Sequence, residues 1–413
     1  MVSLLTLVGD INEGLRVFVL IFSYTSLGYL FFQKYGFEFN KYPKIPKEVL
    51  LFLSFLFFSL FISSIFSKYM LIGLLHILIM SALFILMYLI YGMINSIREI
   101  KTLIYSLITA SLIMTSSAII NLVSSGADIY KLGAESHFRF LGLISNVSAI
   151  GGYIAVATPI LVLTLFYTPN RKAKGLIWCT IVLECLGLII ISSRGGMLSI
   201  LGSCIFLLIV LNRKKLITGL LILIPLLVIL FMSPWGEFII ALLRLDHGLS
   251  QRDHLWMLSI EMIKHNFFFG VGPGAWGKEM FNYLPVMLDS YAGQLFSNLY
   301  TITGGVNNSH NFYLAFFSDM GIWGLVCSIA LPVVYFNLCH KTLLRIKKRN
   351  NYNYLLIIAA SAIGVGMFIR GLIEEISLIS YRLSVDIPFW TIFVIVIYIY
   401  QNNEDFNISR SSK

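Results

Sequence analysis

The sequence predicts an all-α polytopic integral membrane protein, a single membrane domain of about eleven transmembrane helices within a range of roughly 10–12. One large outer-face loop, 235–310, interrupts it and carries an amphipathic helix of its own. Three observations lead there. Of 413 residues, 58% are hydrophobic and only 12% charged, and the mean hydropathy is +0.85. The apolar residues are gathered into runs of about 20, the length that crosses the hydrocarbon core of a bilayer as a helix. The lysines and arginines sit in the short connections between those runs.

The runs fall at 14–32, 49–66, 70–94, 103–123, 141–167, 175–192, 196–211, 216–234, 311–340, 354–372 and 386–400. The first is not followed by a small-residue cleavage site and reads as a retained helix rather than a signal peptide. The runs at 196–211 and 386–400 are short, which sets the range on the count. Of the 30 lysines and arginines, nineteen fall on one set of alternate loops, Lys41, Lys44, Lys172 and Lys348 among them, and eleven on the other. The positive-inside rule makes the first set cytoplasmic. The C-terminus is then inside, the N-terminus and 235–310 outside. The formal net charge of +10 is spread over these loops and not gathered into a patch, so nucleic acid is not an expected partner; the lipid bilayer is. Cys179, Cys185, Cys204, Cys327 and Cys339 all lie in apolar runs without ligand spacing, and neither a disulfide nor a metal is implied.

Within 235–310, Trp256, Ile260, Ile263 and Phe267 recur at intervals of four, three and four, while Asp253, Glu261, Lys264 and His265 take the other positions. That pattern predicts a helix lying at the membrane interface. Loops this long in compact proteins carry function or are disordered, and this one is rich in Trp, Phe, Tyr and Leu and poor in charge.

The unusual polar residues cluster at the outer edge. Arg194 stands in Ser192-Ser-Arg-Gly-Gly196, a cation among small neighbours that let a bulky group approach. An interfacial arginine that merely snorkels is the plain alternative, although an anchoring cation is less expected on the outer side. Arg252 opens the amphipathic helix beside Asp253, which could simply pair with it. Phe269-Gly-Val-Gly-Pro-Gly-Ala-Trp276 is a glycine-rich turn whose Gly272 and Gly274 would let backbone come close to a sugar or phosphate; as a dinucleotide fingerprint it fails, because Pro273 breaks the pattern. His310, in Asn307-Asn-Ser-His-Asn311, meets the mouth of the helix that follows, where an ionisable group is a functional candidate. A solvated histidine at a helix start is the alternative. Arg139 is a further outer-face cation, and Arg370 and Glu374, four apart, are placed to satisfy each other and to support the site from behind.

Ser193-Arg194-Gly195, Arg252 with Trp256, Gly270-Val-Gly-Pro-Gly274, and His310-Asn311 followed after nine residues by Gly321 and then Gly324 resemble, in order, the blocks of the O-antigen ligase and O-antigen polymerase family. The resemblance covers about 190–325. It implies a bacterial inner-membrane glycosyltransferase of lipopolysaccharide or other surface polysaccharide biosynthesis, with its active site on the periplasmic or outer side. The donor would be a polyprenyl-diphosphate-linked glycan, such as one on undecaprenyl diphosphate. The acceptor would be a second glycan or lipid A–core, and a chain-length regulator is a partner the family admits. Arg194, Arg252 and His310 would correspond to its catalytic residues, with Arg139, Asn311, Gly272, Gly274, Trp276 and Trp256 around the substrate. The family's described ligases resemble twelve-helix proteins, against the eleven counted here.

The residue types suit that chemistry. Arginine binds phosphate through two parallel hydrogen bonds and stays charged, so two of them can stabilise the charge that grows as a sugar–phosphate bond breaks. Histidine, as a residue type, titrates near neutrality and can take the proton of an attacking hydroxyl or position that hydroxyl. The expectation is an inverting, metal-independent transfer without a cofactor. A polymerase is slightly preferred, because the outer loop is wide and rich in Tyr and Asn. A ligase acting on lipid A–core or a protein hydroxyl is the alternative, and a lipid-linked sugar transporter or flippase the alternative of another class. A transporter would place ionisable residues near the bilayer midplane and show matched half-repeats, and the candidate cations lie at the outer edge instead.

Overall fold

Every predicted span that falls among the described residues is a helix. The computed structural model describes residues 13–125, 147–211, 252–283, 308–346 and 352–402. In chain order these form α1 (Glu13–Tyr35), α2 (Lys47–Phe66), α3 (Met70–Met93), α4 (Ile97–Ser124), α5 (Val147–Tyr167), α6 (Arg171–Ile190), α7 (Arg194–Leu211), α8 (Arg252–His265), α9 (Trp276–Tyr283), α10 (Phe312–Arg345), α11 (Tyr352–Arg370) and α12 (Leu383–Asn402). Among the described residues nine helices are long and apolar enough to cross a membrane: α2 to α7 and α10 to α12. Helix α1 covers the first predicted span, and the run at 216–234 lies outside the described residues.

The helix boundaries follow local chemistry. Ser96 caps α4 by accepting from the Arg98 amide, and its hydroxyl donates to Glu99 Oε2. Asn170 caps α6 through the amides of Lys172 and Ala173, at 2.9 and 3.5 Å. Helices α5, α11 and α12 are buried along most of their length, whereas the peripheral helices turn Phe22, Leu71, Val123, Leu176 and Val333 outward. Helices that are apolar on all sides belong where the solvent is itself apolar.

Small residues set the closest packing. Helix α7 lies on α5 and α11 with Gly196 against Gly151 and Gly366 against Ser199 and Ser203. Without a hydrophobic drive between helices in lipid, such close backbone approach is what holds them. The residues assigned to the cytoplasmic side meet at one end of the bundle: Lys341 pairs with Glu48 at 2.5 Å, Lys34 Nζ donates to Gly92 O at 2.6 Å, and Tyr91 donates to Gln401 at 3.0 Å. At the opposite end gather the starts of α5, α7, α10 and α12 and the end of α11, together with α8 and α9.

Helix α10 is broken at Gly321 (φ 63°, ψ −151°). The segment between α8 and α9 fills the break. Val271 and Gly272 amides donate to Ser318 O and Asp319 O at 2.8 and 2.9 Å, and the Ile322 amide donates to Phe267 O at 2.8 Å. Bonds that an intact helix would make internally are thus made to the loop, as buried backbone groups require. A Cβ at Gly270 or Gly321 would lie inside the opposing backbone.

Helix α8 forms where the apolar periodicity predicts, but with another face inward. Leu255, Leu258, Ser259 and Met262 are buried with Ile263, whereas Trp256 is only half-buried and Ile260 and Phe267 are both 45% exposed. The helix has two apolar stripes. The deeper one packs on Trp276 and Met280, while Met257, Ile260, Phe267 and Phe268 stay outside, suited to the interface of a bilayer.

Candidate functional site

The turn joining α11 to α12, 371–382, carries the residue around which the predicted site is assembled. The turn is fixed by the protein beneath it. Asp386 accepts from the Ser377 amide, the Ser380 amide and the Ser380 hydroxyl at 3.2, 2.7 and 2.7 Å, and Trp390 Nε1 donates to Leu378 O at 2.6 Å. Ser377 and Tyr381 take left-handed backbone, φ 86° and 58°, a conformation that persists only where the surroundings impose it. Glu374 and Glu375, both buried, are therefore held on a rigid support.

Glu374 is the hub. Its Oε1 receives Arg252 Nη2 at 2.7 Å and its Oε2 receives the Ser148 hydroxyl at 3.1 Å. His310 Nδ1 stands 3.6 Å from Oε2, an ion-pair distance rather than a hydrogen bond. Arg252 Nη1 also donates to Ile373 O, so the guanidinium lies across the turn; it does not pair with Asp253, which stands 3.8 Å from His254 instead. From behind, Arg370 is buried, donates to Ser377 Oγ at 3.1 Å and to Ser148 O, and flanks the carboxylate. Arg194 opens α7. At the next residue, Gly195, a Cβ would sit 2.6 Å from Glu374 Cγ and 3.3 Å from Arg370 Nε. Glycine there lets the start of α7 pack directly against the Glu374 side chain.

Burial alone would raise the Glu374 carboxyl, but His310, Arg252 and Arg370 around it hold it down to about 2. It is an anion throughout the physiological range, enclosed by more positive charge than it carries. Because its folded pKa is depressed, its ion pairs contribute stability that is complete above about pH 4.5 and lost as pH falls toward 2. Glu374→Gln is expected to remove most of that acid-side loss, seen as a flatter pH dependence of the melting temperature between those limits. An unchanged slope would assign the acid sensitivity elsewhere.

Each sequence-predicted residue can now be placed. His310 and Arg252 meet at Glu374, and Arg194 adjoins them. Asn311 is a cap: its Oδ1 accepts from the Tyr313 and Leu314 amides, both at 3.0 Å, while Nδ2 donates to Leu372 O at 2.8 Å. It thereby ties the start of α10 to the Glu374 turn, and His310 just before it takes φ 50°, its amide donating to Asn308 Oδ1 at 3.2 Å. Gly272 is buried against Ser67, and the half-buried Gly274 lies against His76, so the close approaches of the glycine-rich turn are to the protein's own backbone and side chains. Trp276 is buried, its Nε1 donating to Ser259 at 2.9 Å, and Trp256 lies half-buried on α8. Arg139 lies outside the described residues. Among the described residues there is no group of three or more His, Cys, Asp or Glu that could hold a metal.

Sequence reading paired Glu374 with Arg370 and placed both behind the site. The structure sets Glu374 at its centre, because α11 ends at Arg370 and the following turn swings the carboxylate toward Arg252. The available signal was two adjacent glutamates between apolar runs, a costly arrangement unless paired. Residues 179–329 match the family model described as O-antigen ligase. No curated protein matches the chain.

Proposed function

We propose, for a chain whose residues 179–329 match the O-antigen ligase family model, that it transfers a glycan from a polyprenyl-diphosphate carrier to a hydroxyl acceptor on the outer side of the membrane. The observation that carries this reading is the convergence of Arg252 and His310 on one buried carboxylate, with Arg194 at the adjoining helix start. A site enclosed by guanidiniums suits a diphosphate, and among the described residues two of Arg252's five donors are engaged, by Ile373 and Glu374.

In this reading Arg194 and Arg252 clamp the diphosphate. Glu374 is a positioning residue: it fixes Arg252 and, facing His310 Nδ1, leaves Nε2 for the acceptor. The acceptor oxygen attacks the anomeric carbon from the face opposite the diphosphate, and the sugar–phosphate bond breaks. Its electron pair leaves with the polyprenyl diphosphate, the hydroxyl proton passes to His310 Nε2, and the configuration inverts. The guanidiniums supply the neutralisation that the departing diphosphate needs, so the transfer proceeds without a metal. A polymerase, whose acceptor is a second carrier-linked repeat unit, is preferred to a ligase acting on lipid A–core.

The test is reconstituted protein with a polyprenyl-diphosphate-linked repeat unit as sole glycan substrate, products resolved by size. A ladder of chains is expected, reduced by about 10²–10⁴-fold in His310→Ala, the usual contribution of a positioned base. Wild-type transfer by correctly inserted His310→Ala would remove histidine from the reaction. Product only on adding lipid A–core or a protein acceptor would make the protein a ligase.

A further inference from the structure

Glu375 points the other way. A cavity of about 350 Å³ lies on its side of the turn, lined by His76, Gly274, Asn308, Asp319, Glu375 and Tyr381 among others. Two carboxylates reach it from different elements, Glu375 from the α11–α12 turn and Asp319 from the first turns of α10, and they are 6% and 3% exposed. Asp319 Oδ2 is satisfied by the Gly274 amide at 3.0 Å. Among the described residues its Oδ1 and Glu375 Oε2 have no partner at hydrogen-bond distance, although the Tyr381 hydroxyl, likewise without one, lies beside Asp319. Buried carboxylate oxygens without donors are rare and call for a ligand or bound water that supplies them. Burial and the neighbouring Asp319 push the Glu375 carboxyl up, toward the protonated form, which donates as well as accepts.

The rest of the lining narrows the ligand. His76 and Tyr381 are half-buried and meet edge to face with centroids 4.5 Å apart, offering ring surface beside the carboxylates. Lys278 and Arg382, which also line the cavity, are exposed, so cations stand at the rim and acceptors in the depth. Carboxyl groups beside aromatic faces suit a molecule with many hydroxyls on an apolar ring skeleton. An anionic group would meet two carboxylates in the depth. The cavity also reaches the reacting side: Asn308 lines it and holds the His310 amide.

We infer that this cavity is the acceptor subsite, binding the terminal, uncharged sugar of the acceptor glycan through its hydroxyls, with Glu375 and Asp319 as the hydrogen-bond acceptors. This rests on the transfer reading above and adds to it a division of labour: Glu374 organises the donor side, and Glu375, its neighbour in the chain, serves the acceptor side.

The experiment measures binding to the full-length protein in nanodiscs by calorimetry, with two probes. One is the repeat-unit oligosaccharide released by mild acid from the producing cells' lipid-linked pool, free of diphosphate and lipid. The other is polyprenyl diphosphate without sugar. Glu375→Gln is expected to weaken the oligosaccharide by about tenfold, the scale of losing one hydrogen bond, and to leave polyprenyl diphosphate unchanged. Ala315→Leu, which fills the cavity from α10 one turn before Asp319, is expected to do the same, and both are checked for wild-type melting. Arg252→Ala is expected to show the reverse pattern. If the wild type binds no oligosaccharide, or both cavity variants bind it as the wild type does, or they weaken both probes equally, the subsite is overturned. If Arg252→Ala leaves polyprenyl diphosphate binding intact, the donor clamp fails instead, whatever the oligosaccharide does.

Discussion

Arg252→Ala is expected to lower transfer by about 10³-fold, the scale of removing one donor aimed at developing charge. It should also destabilise the protein, because Glu374 is left buried with its best partner gone, and breaking a buried pair from one side costs about 3–5 kcal/mol. The two effects separate by a second substitution. In Arg252→Ala with Glu374→Gln the uncompensated charge is removed, so the melting temperature should recover while transfer does not. Arg252→Lys keeps the charge but loses the fork that spans Ile373 and Glu374, and is expected to lose about 10–100-fold in transfer. Transfer by Arg252→Ala within a few-fold of wild type would show that the arginine is held for the fold alone.

The second large effect is expected away from the charged centre. Gly270→Ala places a Cβ inside the backbone of Asp319 and Met320, at a glycine with φ 70°. The left-handed conformation and the overlap together are expected to cost about 2–4 kcal/mol. Relief requires the α8–α9 segment to withdraw from α10, which would break the bonds of Val271, Gly272 and Ile322. Faster proteolysis within 252–283 and loss of transfer, at unchanged membrane insertion, are the expected readouts. Gly321→Ala should behave alike, since its Cβ would enter the backbone of Phe268 and Phe269. Wild-type protease resistance in both would mean that the two backbones can part without consequence.

What the sequence made legible, and what it did not, divides along physical lines. Long apolar runs report directly on helices in lipid, and the run at 354–372 became α11, Tyr352–Arg370. Arg194, Arg252 and His310 stood out because a charged or titrating group at a membrane edge is costly without a purpose. Their meeting point was illegible, since it depends on how the turn after α11 folds. Glu374, four residues from Arg370, keeps that arginine at its flank, but its closest charged partner is Arg252, which only the fold brings there. The inward face of α8 was hidden by a second apolar stripe, because periodicity finds a face but does not say which of two meets the protein. The glycines of 270–274 marked a close approach, and only the fold shows that what approaches is α10.

The seam between that turn and the broken α10 bears on how substrates get in. Three main-chain hydrogen bonds knit an outer segment into the ladder of a spanning helix, so the segment cannot swing aside without unpicking the helix. It is a wall and not a lid. Under the proposed transfer, a lipid carrier with its glycan would therefore have to reach the site around this segment rather than by displacing it.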